Sequence, residues 1–266
     1  MERPLDKAPL VPFRTRLFLV WLALLGAFFW FFLSFHLKFS YILKTFPDLA
    51  GFRLTPEGSL QGAALTLYLC AISMVCSTTL GFAAAMGRLS KSAVAFGVAT
   101  FYMSFFRGTP LLVQIFLIYV GLPQLGAVPA AVPSGIVALS LNYGAYLGET
   151  IRAGILSISP GQREAATALG LKRGLIMRKI ILPQAMRVIV PPATTQFIGM
   201  LKDSSLVSVM GVWELMFLAR SYGRAEYRYI EMLLTAAVLY WVLSISFELV
   251  QARIERHFGR GFREST

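Results

Sequence analysis

The chain reads as six long apolar blocks separated by short polar stretches, at residues 17–37, 60–87, 93–122, 128–148, 188–213 and 232–250. The first has 21 residues and no formal charge. At about 1.5 Å per residue such a helix covers a hydrocarbon core of about 30 Å. The pattern therefore predicts six membrane crossings. The first block follows a basic tail, as a secretory signal peptide would, but it is longer than a signal core and no small-x-small cleavage pattern follows, so it reads as a retained anchor.

Composition supports a lipid solvent: 56% of the 266 residues are hydrophobic and 14% charged, with a mean hydropathy of +0.66. This is unlike a soluble domain. The net charge of +12 would point to nucleic acid in a soluble protein, but here the positions of the charges decide. Seventeen of the 25 Lys and Arg sit in four places: the N-terminal tail, the turn with Arg88 and Lys91, residues 152–187, and the C-terminal tail. Six crossings starting inside put all four on one side. Cytoplasmic loops collect Lys and Arg, so both termini are expected in the cytoplasm. Cys70 and Cys76 lie inside one apolar block and read as small buried hydrophobes.

Two blocks are interrupted, one by Arg107-Gly108-Thr109-Pro110 and one by Lys202-Asp203-Ser204-Ser205. Charge at membrane depth must pair, face the protein interior or line a path, and broken helices in matching places point to transporter substrate sites. Asn142, Tyr146 and Glu149 follow at i, i+4 and i+7, one helical face. Gln196 and Asp203 are seven apart, as are Arg107 and Gln114. Three helices thus each offer a polar stripe, which makes either an inter-helix hydrogen-bond network or a polar pathway. Arg107, Lys202, Glu149 and Asp203 sum to zero charge, so charge alone selects no substrate class.

Residues 152–183 are too long and too patterned for a plain connection. Ser159-Pro160-Gly161-Gln162 supplies an N-cap, a proline at the first helical position and a Gln at N3, and Gly170 is placed to end the helix left-handed. A second short helix through 175–181, ended by Pro183, completes a helix-turn-helix. By physics alone it binds DNA, lies on anionic lipid or docks on a protein. The small stripe of Ala165, Ala166 and Leu169 favours docking.

At this point the sequence resembles the membrane permease subunits of ATP-binding cassette importers for amino acids, over about residues 58 to 255. EAATALGLKRGLIMRKIILPQA at 164–185 resembles that family's EAA loop. FFRGTPLLVQIFLIYVGLP at 105–123, GQREAATALGL and LKDSSLVSV resemble its polar amino-acid branch. The resemblance implies an all-α polytopic membrane protein: a five-helix type I importer core plus one extra N-terminal helix at 17–37. It divides the chain into a basic tail, anchor and outer loop (1–58), the permease core with a coupling hairpin at about 159–183 (59–257), and a basic C-terminal tail (258–266).

The resemblance further implies that Glu164, Ala165, Ala166, Gly170, Leu182 and Pro183 couple to an ATPase subunit. A second permease, the same chain or a related one, and an extracytoplasmic substrate-binding protein are the other partners, in a bacterial inner membrane. The substrate-pathway candidates are Asn142, Tyr146, Glu149, Gln196, Lys202, Asp203 and Arg107. Two departures from the family pattern, Gly148-Glu149-Thr150 and Arg152-Ala153-Gly154, fall beside them.

No G-x-x-x-x-G-K-[ST] phosphate loop is present, so ATP and magnesium are expected in the partner ATPase and no cofactor in this chain. Only His36 and His257 occur, with no paired metal-ligand spacing, so neither a metal site nor a catalytic triad is expected. An ion-coupled secondary transporter and a non-transporting scaffold are the alternative readings. The first leaves the patterned hairpin unexplained, the second the intramembrane charges.

Overall fold

The computed structural model describes residues 12–35 and 37–258. Of the expected tail charges, Arg3, Lys7, Arg260 and Arg263 lie outside the described residues. The chain folds as two compact units, Met1–Lys44 and Thr45–Thr266. The first contains α1 (Phe13–Leu33), whose described side chains are exposed along its length and, from Leu17 on, apolar on every side. Such a helix suits lipid, not water.

Helix α2 (Phe39–Leu49) leads into the second unit, followed by α3 (Gly62–Arg88), α4 (Ala93–Gly108) and α5 (Leu111–Phe116). The chain continues through α6 (Ala131–Leu156), α7 (Pro160–Ala168), α8 (Arg173–Ile176), α9 (Leu182–Asp203), α10 (Leu215–Ala225) and α11 (Tyr229–Phe258). No β-strand occurs among the described residues. Helices α1, α3 and α11 are each long and apolar enough to cross a membrane, and α4 with the segment after it is so as a bent pair. At 26 and 22 residues α6 and α9 are also long enough, but they fall below that apolarity. The two polar helices are the ones that carry most of the expected pathway residues. By length alone the second unit offers five segments able to cross, counting the bent pair as one, and the first unit offers α1.

The centre of the fold is the contact of α3 with α6, made by small residues at four-residue spacing. Ser73, Ser77 and Gly81 on α3 meet Ser140, Gly144 and Gly148 on α6. Ser77 Oγ donates to the Ser140 carbonyl at 3.2 Å, and Ser140 Oγ to that of Ser73 at 3.5 Å. In lipid, where apolar burial between helices gains little, such close packing and interhelical hydrogen bonding hold helices together. Tyr102 of α4 crosses the same ridge and donates to Leu141 O at 2.8 Å.

At the end where α3 begins, buried Glu214 caps α10. It accepts from Met216 N at 3.0 Å and Phe217 N at 2.7 Å, and from Tyr240 Oη of α11 at 2.9 Å. This satisfies two orphan donors of the helix N-terminus and ties α10 to the last span.

Two sequence expectations are corrected here. Pro183 does not end the second hairpin helix: the chain widens by one i→i+5 turn over Met177–Ile181 and runs on into α9, with Pro183 in its first turn. The wide turn is what lets Pro183, which has no amide to donate, sit in a continuous helix. Because α9 starts early, Lys202 and Asp203 stand at its end, where it tightens into a 3₁₀ segment, Ser204–Met210. They do not interrupt the middle of a crossing.

Candidate functional site

The break between α4 and α5 is a turn of 108°. Pro110 forces Thr109 extended (φ −115°, ψ 145°), which ends α4. The freed polar groups are caught by two amides. Gln114 Nε2 donates to Phe106 O at 2.9 Å and to Thr109 O and Oγ1 at 3.1 and 2.9 Å. Asn142 Nδ2 of α6 donates to Phe106 O at 3.0 Å and Gln114 Oε1 at 3.2 Å. Asn142 is buried, 6% exposed, so it pins the turn and does not share the open face of Tyr146 and Glu149. Asn142→Leu is expected to cost about 1–3 kcal/mol, because buried acceptors lose their donor. It should lower the melting midpoint in detergent and speed amide exchange over residues 106–114; unchanged exchange there would remove this role.

The open face runs along α6 and α9. Tyr146 is exposed and Glu149 partly so. Arg152 Nε donates to Glu149 Oε2 at 3.1 Å and its Nη2 to Oε1, while Arg107 Nη1 stands 3.8 Å from Oε2. The Arg107 guanidinium also lies over the Tyr146 ring, 5.5 Å from its centroid. Across on α9, Gln196 Nε2 donates to Thr150 Oγ1 at 2.8 Å, and its buried Oε1 has no partner among the described residues. Asp203 accepts from Tyr143 Oη at 2.8 Å. Lys202 is exposed and makes no ion pair among the described residues. The structure thus brings Arg107, Tyr146 and Glu149 together, joins Gln196 to the next turn of α6, and sets Asp203 beside Tyr143. Sequence reasoning missed Arg152, Thr150 and Tyr143. Arg152 was within reach of it, standing three residues after Glu149 on a helix.

The hairpin is anchored to these same helices. Ala166, 2% exposed, and Ile176 and Ile181 pack with Ile151 and Ile155 of α6, Ala185 and Ile189 of α9, and Ala85 of α3. Helices α6 and α9 touch closely here: a Cβ on Gly154 would collide with Ile189 Cγ1. Ala166 therefore faces inward, while Glu164, Ala165, Leu169, Gly170 and Pro183 are at least partly exposed and Leu182 is buried less than its neighbour Ile181. Ser159 holds the N-cap position, but its hydroxyl makes no capping bond. Gly170 takes φ +75°, the expected left-handed turn. A groove of about 830 Å³ beside the hairpin is lined by Leu89, Lys91, Arg163, Glu164 and Arg173, among others.

An all-α bundle of spanning helices, a polar face on two of them and a hairpin rooted in those two is the build of a membrane permease, and the relatives of the sequence agree. Residues 77–260 match the model of the family described as binding-protein-dependent transport system inner membrane component, and the chain belongs to that family. It is 39% identical over 198 residues to the arginine transport system permease protein ArtQ of Bacillus subtilis, covering 74% of this chain and 90% of that one. To the putative glutamine transport system permease protein GlnP of Rickettsia typhi it is 35% identical, over 81% of this chain and 96% of the relative. Among solved structures, an amino acid ABC transporter crystallised with histidines superimposes with a TM-score of 0.75 at 36% identity, over 83% of this chain and 99% of that one.

Proposed function

We propose that this chain is the transmembrane subunit of an ATP-driven importer that moves a polar or charged amino acid inward by alternating access. The observation that carries the reading is the shared buried cluster: the hairpin packs on α6 and α9, the two helices that hold Tyr146, Glu149, Gln196 and Asp203. A force applied to α7 by a nucleotide-binding partner reaches the polar face through close-packed side chains, which transmit strain. The ATPase, a second permease and an extracytoplasmic binding protein complete the assembly, with the hairpin on the cytoplasmic side of a bacterial inner membrane. Within this reading Glu164, Ala165, Gly170, Leu182 and Pro183 shape the docking side of the hairpin, and Ala166 fixes it to the bundle. Tyr146, Glu149, Gln196, Lys202, Asp203 and Arg107 border the path, and Asn142 holds its bend.

Transport of labelled amino acids into cells lacking and then regaining the chain tests the proposal, with Asp203→Asn as the informative variant. Loss of the carboxylate that Tyr143 addresses is expected to reduce uptake roughly 10- to 100-fold, the size of a hydrogen bond to a charged group. Uptake that does not depend on the chain would refute the function, and full uptake by the variant would leave Asp203 a structural residue.

A further inference from the structure

Where α3, α4 and α6 meet, a cavity of about 390 Å³ opens between Arg88, Thr100, Ser104, Arg107 and Glu149. Its charge is uneven. Among the described residues Glu149 is the one carboxylate lining it, and both its oxygens are taken by Arg152. Arg107 reaches that carboxylate only at 3.8 Å and is 41% exposed. Arg88 donates from Nη1 to Thr100 Oγ1 at 2.7 Å and lies 5.0 Å from the Phe96 ring centroid, and its buried Nε has no acceptor among the described residues. Two guanidinium groups, Arg88 and Arg107, thus line the cavity with one carboxylate that Arg152 already neutralises, which leaves an excess of two positive charges and free donors on Arg107 and Arg88. Guanidinium groups match carboxylates in shape and can bind them by two parallel hydrogen bonds. Thr100 and Ser104 add hydroxyls beside them.

We propose that this cavity is a carboxylate seat, in which Arg107 and Arg88 receive the α-carboxylate of the amino acid in transit. The assignment rests on the amino-acid permease reading given above. It makes recognition at this point independent of the side chain, because every α-amino acid carries the group. A cation without a carboxylate is repelled by the same excess charge. An anionic lipid headgroup offers similar oxygens, so the test separates the two.

The purified complex of this chain with its ATPase, without the binding protein, is equilibrated with labelled L-arginine, L-histidine and L-glutamine. Their α-carboxamides and the decarboxylated amines agmatine and histamine serve as competitors. The wild type is expected to bind carboxamides and amines roughly 10- to 100-fold more weakly than the acids, the loss of a charge-assisted bond. Arg107→Gln and Arg88→Gln, checked for unchanged elution on size exclusion, should bring acid and carboxamide to within about threefold. Equal binding of acids and carboxamides by the wild type overturns the proposal, as do variants that keep the preference. Normal uptake with no acid bound by the complex overturns it too. A co-purifying anionic phospholipid that Arg107→Gln releases, with acid binding unchanged, assigns the cavity to lipid instead. If no amino acid is either bound or taken up, the permease reading itself fails, a result distinct from the others.

Discussion

Gly170→Val is expected to abolish transport while leaving the protein inserted in the membrane at normal levels. A Cβ at this position meets nothing within 4 Å, so the effect comes from the backbone alone. Gly170 holds φ +75°, and the turn is closed by Gly170 N donating to Thr167 O at 2.9 Å and Leu171 N to Ala166 O at 3.2 Å. A β-branched residue there costs about 1–2 kcal/mol or more. The chain relieves that strain by turning differently, which moves Glu164 and Leu169 off the docking surface while α3, α6 and α9 stay packed. Gly170→Asn is the control, since asparagine tolerates the left-handed region and should keep most of the uptake. Glu164→Lys, an exposed charge reversal on α7, should lose uptake and ATPase association together. Normal uptake by either Gly170→Val or Glu164→Lys would show that the hairpin does not couple.

Gly81→Leu should have the largest effect on the fold. Its Cβ would come within 2.9 Å of Gly148 N and of Leu147 Cβ, and 3.0 Å from Gly144 O. Two of these three atoms are backbone, so no rotamer change relieves the clash and α3 must part from α6. Overpacking of a tight core commonly costs about 1–3 kcal/mol, and more where backbone must move. The parting also breaks the serine bonds Ser77–Ser140 and Ser140–Ser73. The expected result is little folded protein in membrane fractions and an aggregated elution profile in detergent. Gly97→Leu, on the exposed side of α4 where a Cβ meets nothing within 4 Å, should behave as wild type. A normal yield and elution profile for Gly81→Leu would contradict the assigned helix contact.

The spans and the hairpin were legible because both are written in local signals: long apolar runs with few or no charges for the first, Pro160, Gly170 and the alanines between them for the second. What remained hidden depends on partners far apart in the chain. Asn142 and Glu149 share a helical face by spacing, yet one is bonded to the carbonyl of Phe106 and the other to Arg152. Spacing gives a direction, and burial by a neighbouring helix decides what lies there. Pro183 read as a stop because local rules place proline after helices, whereas here one wide turn lets it open the next one. Arg88 read as a topological charge at a helix end. Its side chain folds back along α4 and joins the cavity, which only tertiary packing reveals.

The most direct test of the central claim is to solubilise the membranes in detergent and capture this chain. Its partners are then identified by mass spectrometry, and ATP hydrolysis is measured with binding protein and each candidate amino acid. The account predicts that an ATP-binding subunit co-purifies and that one or a few amino acids raise its hydrolysis several-fold, an increase Gly170→Val abolishes. A chain that purifies alone and moves its substrate on an ion gradient would contradict the account.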